Sequence, residues 1–443
     1  MIRPKFGTDG VRGEANTQIT PDFAVQLGRA AAPVLGSKRV LIGRDTRRSG
    51  PMLEAALAAG FASAGVDVEL LGVVPTPAIA LLGQLDGVAA AAITASHNPF
   101  PDNGIKLFAP GGRKLPDEVE ARIEAALDAG DDGTGRPIGA GLGTITSNHG
   151  EAHRYVDNLV GQVGAGSLGG VRIVLDCANG ATSELAAEIF TRSGADVTTI
   201  GATPDGVNIN LECGATHPAA LARAVVDTGA DLGLAFDGDG DRLIAVGADG
   251  AVVDGDRIIA LLAVDLRDRG ELRDDTVVVT VMSNLGFHRA MRDAAINVAT
   301  TAVGDRYVLE ALEGRHWSLG GEQSGHIIIR DRAPTGDGML SGLLLCDLLR
   351  RSGRSLADLA TGAMTVYPQI LQNVRVTQRH PDVADLIADD IAAVAAELGD
   401  DGRVLVRPSG TEPLIRVMVE AGDPMSAQSA VDRLVSVITS KLG

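Results

Sequence analysis

The chain has 443 residues, 45% of them hydrophobic and 22% charged, with a formal net charge of −18; this is the balance of a globular protein too long for one core, for which about three or four domains are expected. The acidic balance argues against nucleic acid or an anionic membrane as partner, because either needs a basic surface, and leaves open a small anion met by a local cluster of arginines. Cys177, Cys213 and Cys346 show no C-x-x-C spacing, no apolar run approaches a membrane span and no leader pattern opens the sequence, so a cytoplasmic protein with reduced thiols is expected.

In chain order, Thr20 followed by Pro21 is a helix start, and Ser49 with Pro51 nearby is a second. An apolar strand at Val40 to Ile42, an amphipathic helix, and the stretch FASAGVDVELLG from Phe61 to Gly72 form a strand, helix, strand unit. The same pattern recurs at Val171 to Leu175 with Phe190 to Gly201, and at Val277 to Val281 with Met291 to Gly304. Repeats so widely spaced suggest three related α/β domains and not a solenoid. Glycine-rich stretches near Gly130 to Gly143 and Gly161 to Gly170 read as surface linkers.

After the small apolar stretch Val88 to Ile93 comes Thr94-Ala95-Ser96-His97-Asn98-Pro99, followed closely by Lys106, one of few lysines. These residue types also favour plain turns. Read chemically, Ser96 is a nucleophile that needs activation by a neighbouring base or a metal, with His97 and Lys106 nearest. No G-x-S-x-G elbow surrounds it, which weakens a hydrolase triad and favours phosphoryl transfer.

The sharpest signal is Asp237-Gly238-Asp239-Gly240-Asp241-Arg242 between the apolar strands Leu232 to Phe236 and Leu243 to Val246. Three crowded carboxylates repel one another, so a compensating cation is the simplest reason for them, although Asp-Gly is also a common hairpin turn. An EF-hand is excluded, because Arg242 and Ala248 stand where its glycine and glutamate belong. Mg²⁺ with phosphate oxygens completing its shell fits the set.

Gly320-Gly321-Glu322-Gln323-Ser324-Gly325-His326 is a polar loop of the kind that binds sugar hydroxyls. From about Val366 the pattern becomes α+β: a strand at Gln372 to Thr377, a helix at Val383 to Leu398, a strand pair at Val404 to Val406 and Ile415 to Glu420, and a last helix. Between the paired strands, Arg407-Pro408-Ser409-Gly410-Thr411-Glu412-Pro413 with Arg416 has the composition of an anion cradle or of an ordinary hairpin loop.

The four loops, in this order, resemble those of the α-D-phosphohexomutase family, and the resemblance covers almost the whole chain. Within the family the bacterial branch acting on glucosamine phosphate is most similar: Phe6-Gly7-Thr8-Asp9-Gly10-Val11-Arg12-Gly13 resembles its opening, Asn208-Ile209-Asn210 leads into Cys213-Gly214-Ala215-Thr216-His217, and Gln323 stands where glucose and mannose mutases usually carry Met. Ala215, where that branch more often has Ser, is a small departure.

The resemblance implies three related mixed α/β domains plus a C-terminal α+β domain, arranged around a central cleft, with boundaries at 1–152, 153–253, 254–366 and 367–443. It implies one Mg²⁺ held by Asp237, Asp239, Asp241 and a phosphorylated Ser96, with His97, Lys106, Arg12 and Arg242 around the transferring phosphate. Glu322, Ser324, His326, Gly304 and Asp305 would meet the sugar, and Arg407, Ser409, Gly410, Thr411 and Arg416 its other phosphate. Glucose or glucosamine 1,6-bisphosphate as activator, a kinase or autophosphorylation to charge Ser96, and a homodimer all fit that reading. The competing activities are a phosphoglucomutase or phosphomannomutase, a metal-dependent phosphatase, and a non-enzymatic sugar-phosphate binder.

Overall fold

The computed structural model describes residues 4–7, 9–130, 133–409 and 413–442, and its backbone divides into two compact units, Met1–Met282 with Ile296–Thr361, and Ser283–Ala295 with Gly362–Gly443.

The first unit opens with β1 (Val11–Glu14), α1 (Pro21–Leu35), β2 (Arg39–Arg44), α2 (Gly50–Ser63), β3 (Asp67–Val73), α3 (Thr76–Asp86), β4 (Ala89–Ile93), β5 (Asp102–Ala109), β6 (Arg113–Lys114), α4 (Asp117–Ala129) and β7 (Ile145–Ser147). Its strands form one sheet in the order β1-β5-β4-β2-β3-β7, with β6 paired to β5. Then α5 (Ala152–Val163) leads to β8 (Arg172–Asp176), α6 (Ala186–Arg192), β9 (Asp196–Ile200), α7 (Ala219–Thr228), β10 (Leu232–Phe236), β11 (Leu243–Gly247) and β12 (Val252–Val253), in the order β12-β11-β10-β8-β9. The third group is α8 (Gly255–Asp268), β13 (Thr276–Thr280), β14 (Asn297–Thr301), α10 (Asp305–Arg315), β15 (Leu319–Gly321), β16 (Ile327–Ile329), α11 (Gly338–Ser352) and α12 (Leu356–Ala363), its strands ordered β14-β13-β15-β16, while α9 (Leu285–Asp293), between β13 and β14 in the chain, belongs to the second unit.

The three sheets share a four-stranded path. In each, two strands joined through a helix run parallel (β2 with β3, β8 with β9, β13 with β14), a third pairs parallel to the first, and a fourth returns antiparallel to the third. Near-continuous apolar runs such as Ala89–Ile93 and Leu232–Phe236 suit strands buried on both faces. The repeat read from sequence is this β-α-β start; the third and fourth strands extend it.

Locally, Thr20 caps α1 by accepting from Phe23 N, as expected. Ser49 does not cap α2; its Oγ accepts instead from Asn103 Nδ2 at 2.8 Å. Nor is α2 amphipathic, since it packs closely on α1: a Cβ on Gly60 would lie 2.5 Å from Val25 O, and one on Gly28 2.8 Å from Leu57 O. The second glycine-rich stretch is helical through Val163, because α5 runs that far.

In the second unit, β17 (Gln369–Arg375), α13 (Val383–Leu386), α14 (Ala388–Leu398), β18 (Arg403–Pro408), β19 (Leu414–Glu420) and α15 (Pro424–Leu442) form a three-stranded antiparallel sheet, β17-β19-β18, with helices packed on it. The single helix expected over Val383 to Leu398 is broken at Ile387 (φ −124°, ψ 27°), whose side chain turns into the core.

Candidate active site

Three of the four motif loops occupy one topological position. Thr94 to Pro99 joins β4 to β5, Asp237 to Arg242 joins β10 to β11, and Glu322 to His326 joins β15 to β16. Each leaves the carboxyl end of a parallel strand, where open α/β sheets place their ligands.

Ser96 is buried and left-handed (φ 51°), a region that non-glycine residues enter at a cost of about 1–3 kcal/mol and that clusters at functional sites. Its Oγ donates to Asp237 Oδ2 at 2.6 Å and lies 3.2 Å from His97 Nδ1. The metal loop is pressed against the serine loop, for a Cβ on Gly238 would stand 2.5 Å from Ser96 O. Glycine is required there by that approach.

The carboxylates of Asp237, Asp239 and Asp241 offer oxygens within 4.8 Å of one another, all buried. Lys106 Nζ donates to Asp239 Oδ2 at 2.8 Å and Asp241 Oδ2 at 3.3 Å, and pairs with Asp9 Oδ2 at 2.8 Å. Thr76, at the start of α3, donates Oγ1 to Asp239 Oδ2 at 2.7 Å. Burial, then repulsion from Asp241 and Asp239, pushes the Asp237 carboxyl well above the usual range. Burial opposes the charge of Asp241 too, but Lys106 and then His326 hold its carboxyl well below that range. Asp239 Oδ1 and Asp241 Oδ1 are buried and without a hydrogen-bond partner among the described residues. Such oxygens, in a hard donor set with Ser96 Oγ alongside, fit a divalent cation of the Mg²⁺ class.

Beside this cluster opens a cavity of about 420 Å³ lined by Arg12, His97, Arg242, Gly304, Glu322 and His326 among others. Burial, then Arg242 and Arg12, lowers the His97 imidazole to about 4, so it is neutral at pH 7. His326 lies between two carboxylates, Nδ1 3.6 Å from Asp241 Oδ1 and Nε2 3.4 Å from Asp305 Oδ2; burial opposes its protonation but Asp241 outweighs it, and its pKa is raised. Glu322 Oε1 accepts from Gly304 N at 3.1 Å, and Gln323 Nε2 donates to Asp254 Oδ2 at 3.3 Å. Ser324 is exposed in the same turn. The structure thus brings together Arg12, Ser96, His97, Lys106, the three aspartates, Arg242, Gly304, Asp305, Glu322 and His326.

In the second unit, Arg407 and Arg416 stand opposite each other on β18 and β19, and Ser409 N donates to Leu414 O at 2.7 Å to close the hairpin. Gly410 and Thr411, the other expected phosphate ligands, lie outside the described residues, as do Thr8 and Glu412.

Models of the phosphoglucomutase/phosphomannomutase alpha/beta/alpha domains I, II and III match residues 3–134, 153–250 and 254–367, and that of the C-terminal domain matches 371–437. The chain belongs to the phosphoglucomutase/phosphomannomutase family. Within it, the chain is 52% identical to a phosphoglucosamine mutase of Rhodococcus jostii over 98% of this chain and 99% of that one, and 50% identical to a phosphoglucosamine mutase of Geobacillus kaustophilus over 99% of each. A phosphoglucomutase/phosphomannomutase family protein of Burkholderia thailandensis superposes with a TM-score of 0.81 at 26% identity, covering 98% of this chain and 97% of that one.

Sequence reading missed several residues of this phosphohexomutase site. Asp9, quoted only as part of the opening motif, pairs with Lys106, with Lys114 at 3.0 Å, and with Arg12. Lys114 in turn pairs with Asp305. Arg47, wholly buried, donates to four carbonyls of the serine loop and its exit. Asn210 donates to two of the same carbonyls. The presence of two lysines near carboxylates was a usable cue for Asp9 and Lys114; nothing local signals Arg47.

Among the described residues no helix is long and apolar enough to cross a membrane.

Proposed function

We propose that the chain is a phosphoglucosamine mutase, interconverting glucosamine 6-phosphate and glucosamine 1-phosphate through phospho-Ser96 and glucosamine 1,6-bisphosphate. The observation that carries the chemistry is the strained Ser96, its Oγ 2.6 Å from Asp237 Oδ2 at the edge of a buried carboxylate triad. The amino-sugar substrate is supported by relatives named phosphoglucosamine mutase that are about half identical over essentially their whole length.

Phosphoryl transfer asks the protein mainly for positioning and charge. Phospho-Ser96 gives its phosphoryl group to the free sugar hydroxyl: the P–O bond to Ser96 breaks, a P–O bond to the sugar forms, and the hydroxyl proton ends on Ser96 Oγ. The bisphosphate turns over and returns its other phosphoryl group to Ser96, leaving the isomeric monophosphate. Arg12 and Arg242, on the cavity wall, meet the transferring phosphoryl oxygens, where fixed cations in a water-poor site stabilise developing charge. Glu322 and Ser324 orient sugar hydroxyls, and Arg407, Ser409 and Arg416 take the other phosphate. Asp237, Asp239, Asp241 and the Ser96 phosphate would hold Mg²⁺, which when bound would neutralise the phosphoryl charge.

A sugar 1,6-bisphosphate, or phosphorylation by a kinase or by the enzyme itself, charges Ser96. The domains run 1–152, 153–253, 254–366 and 367–443, and the three buried free cysteines support a reducing, cytoplasmic setting. The test compares turnover of glucosamine 6-phosphate, glucose 6-phosphate and mannose 6-phosphate by the ³²P-charged enzyme. Preference for the amino sugar is expected. Faster turnover of another hexose phosphate would reassign the substrate, and label released as free phosphate would make the protein a phosphatase.

A further inference from the structure

We propose that Arg47 and Asn210 form a two-sided clamp on the backbone of Ser96, a positioning device for phosphoryl transfer that touches neither substrate nor metal. The inference rests on the reading of Ser96 as phosphoryl carrier.

Ser96 O accepts from Arg47 Nη2 at 2.9 Å and from Asn210 Nδ2 at 2.9 Å. The same two nitrogens reach Asn98 O, at 2.8 Å and 3.1 Å. Arg47 follows β2 and Asn210 lies between β9 and α7, so donors from two different sheets converge on one pair of carbonyls. The amide of Ser96 returns to the same place: it donates to Thr94 Oγ1 at 2.9 Å, Thr94 donates to Asp45 Oδ2 at 2.8 Å, and Asp45 pairs with Arg47 Nε at 2.8 Å. Both backbone polar groups of the serine thus end on the Asp45–Arg47 pair.

Two features point beyond packing. Arg47 has no exposed surface, and its donors are all engaged: Nε on Asp45, Nη1 on Pro99 O and Asp102 O, Nη2 on Ser96 O and Asn98 O. A guanidinium carries five N–H groups in a rigid fork, so this loop is built to the fork's shape. Asn210, by contrast, is kept at a cost to the fold. Its Oδ1 is buried with no hydrogen-bond partner among the described residues. What it gains is the grip on Ser96 O and Asn98 O. Released from the clamp, Ser96 would relax toward negative φ and swing Oγ away from Asp237, so a phosphoryl group on it would lose alignment and meet water more often.

The test charges wild type, Asn210→Ala, Arg47→Lys and Ser96→Ala with ³²P-labelled glucose 1,6-bisphosphate in the presence of Mg²⁺. It then measures kcat, KM, Mg²⁺ affinity and the partition of label between sugar and free phosphate. Asn210→Ala is expected to lower kcat about 10- to 100-fold with KM and Mg²⁺ affinity nearly unchanged, and to shift the partition toward free phosphate. A role in packing alone would not move that partition. Arg47→Lys, whose one ammonium cannot replace the fork that holds Asp45, Pro99 O and Asp102 O along with Ser96 O and Asn98 O, is expected to act in the same direction, but Asn210→Ala is the deciding variant because Arg47 is central to the core. Asn210→Ala with wild-type kcat and partition, alongside an inactive Ser96→Ala, overturns the clamp alone. An active, unlabelled Ser96→Ala overturns the clamp and the carrier reading together.

Discussion

Ser96 Oγ donates a 2.6 Å hydrogen bond to Asp237 Oδ2, joining the loop after β4 in one sheet to the equivalent loop after β10 in the next. A hydroxyl so placed carries little packing. Ser96→Ala is therefore expected to fold as wild type and to lose at least ~10³-fold in rate, as removals of a nucleophile do. Intact-mass spectrometry after charging with a sugar bisphosphate should find one phosphoryl group on the wild type and none on the variant. Full activity in the variant would dismiss Ser96 as carrier.

Asp239 tests the cation site. Its Oδ2 is shared by Lys106 and Thr76, while Oδ1 has no partner among the described residues. Asp239→Asn keeps the shape and removes one of three crowded charges. It should weaken Mg²⁺ binding roughly 10- to 100-fold in calorimetric titration. The rise in Tm that Mg²⁺ gives by mass action should shrink with the affinity. Unchanged binding would move the metal elsewhere.

Much of this arrangement was legible because it is periodic or locally dense. Apolar strands with a returning β-α-β rhythm disclosed three related sheets, and three aspartates in six residues disclosed a buried carboxylate triad. Arg47 was not legible, since nothing local sets it apart from Arg44 and Arg48 and only the fold shows that Arg47 is enclosed. Asn210 meets the serine loop 114 positions away, a pairing that no window of sequence contains. Ile387 likewise fits a helical period, yet the chain breaks there because its side chain is claimed by the core of the second unit.

Asp337 couples stability to pH. It caps α11 by accepting from Leu340 N at 3.0 Å and accepts from Tyr155 Oη at 2.8 Å. Burial raises its carboxyl to about 6, against about 3.9 in an unfolded chain. The folded state therefore binds more protons than the unfolded state between these values, and stability falls as pH rises from about 4 to about 6. The loss amounts to roughly 2 to 3 kcal/mol at neutral pH. Asp337→Asn keeps an oxygen for the cap and cannot titrate. Denaturant melts at pH 4.5 and 7 should show the variant gaining on wild type as pH rises. Parallel pH profiles for the two proteins would refute the assignment.

Arg407 and Arg416 are a directly opposed cross-strand pair on β18 and β19, and burial, then the charge of Arg416, lowers the Arg407 pKa. Like charges so placed weaken a sheet by up to ~1 kcal/mol, which an anion bound between them would offset. Arg416→Gln, which keeps the aliphatic stem, should therefore leave the substrate-free protein as stable as wild type or slightly more so. Arg416→Ala should impair use of both glucosamine phosphates, because each must bind its non-transferring phosphate. The loss of one charge-assisted contact is about 1.5 to 3 kcal/mol, or about 10- to 150-fold in kcat/KM. Charging of Ser96 by added bisphosphate should slow as well. Mg²⁺ affinity should hold, since Arg416 and the aspartate triad belong to different compact units. Normal kcat and KM in both directions would remove Arg407 and Arg416 from the phosphate site.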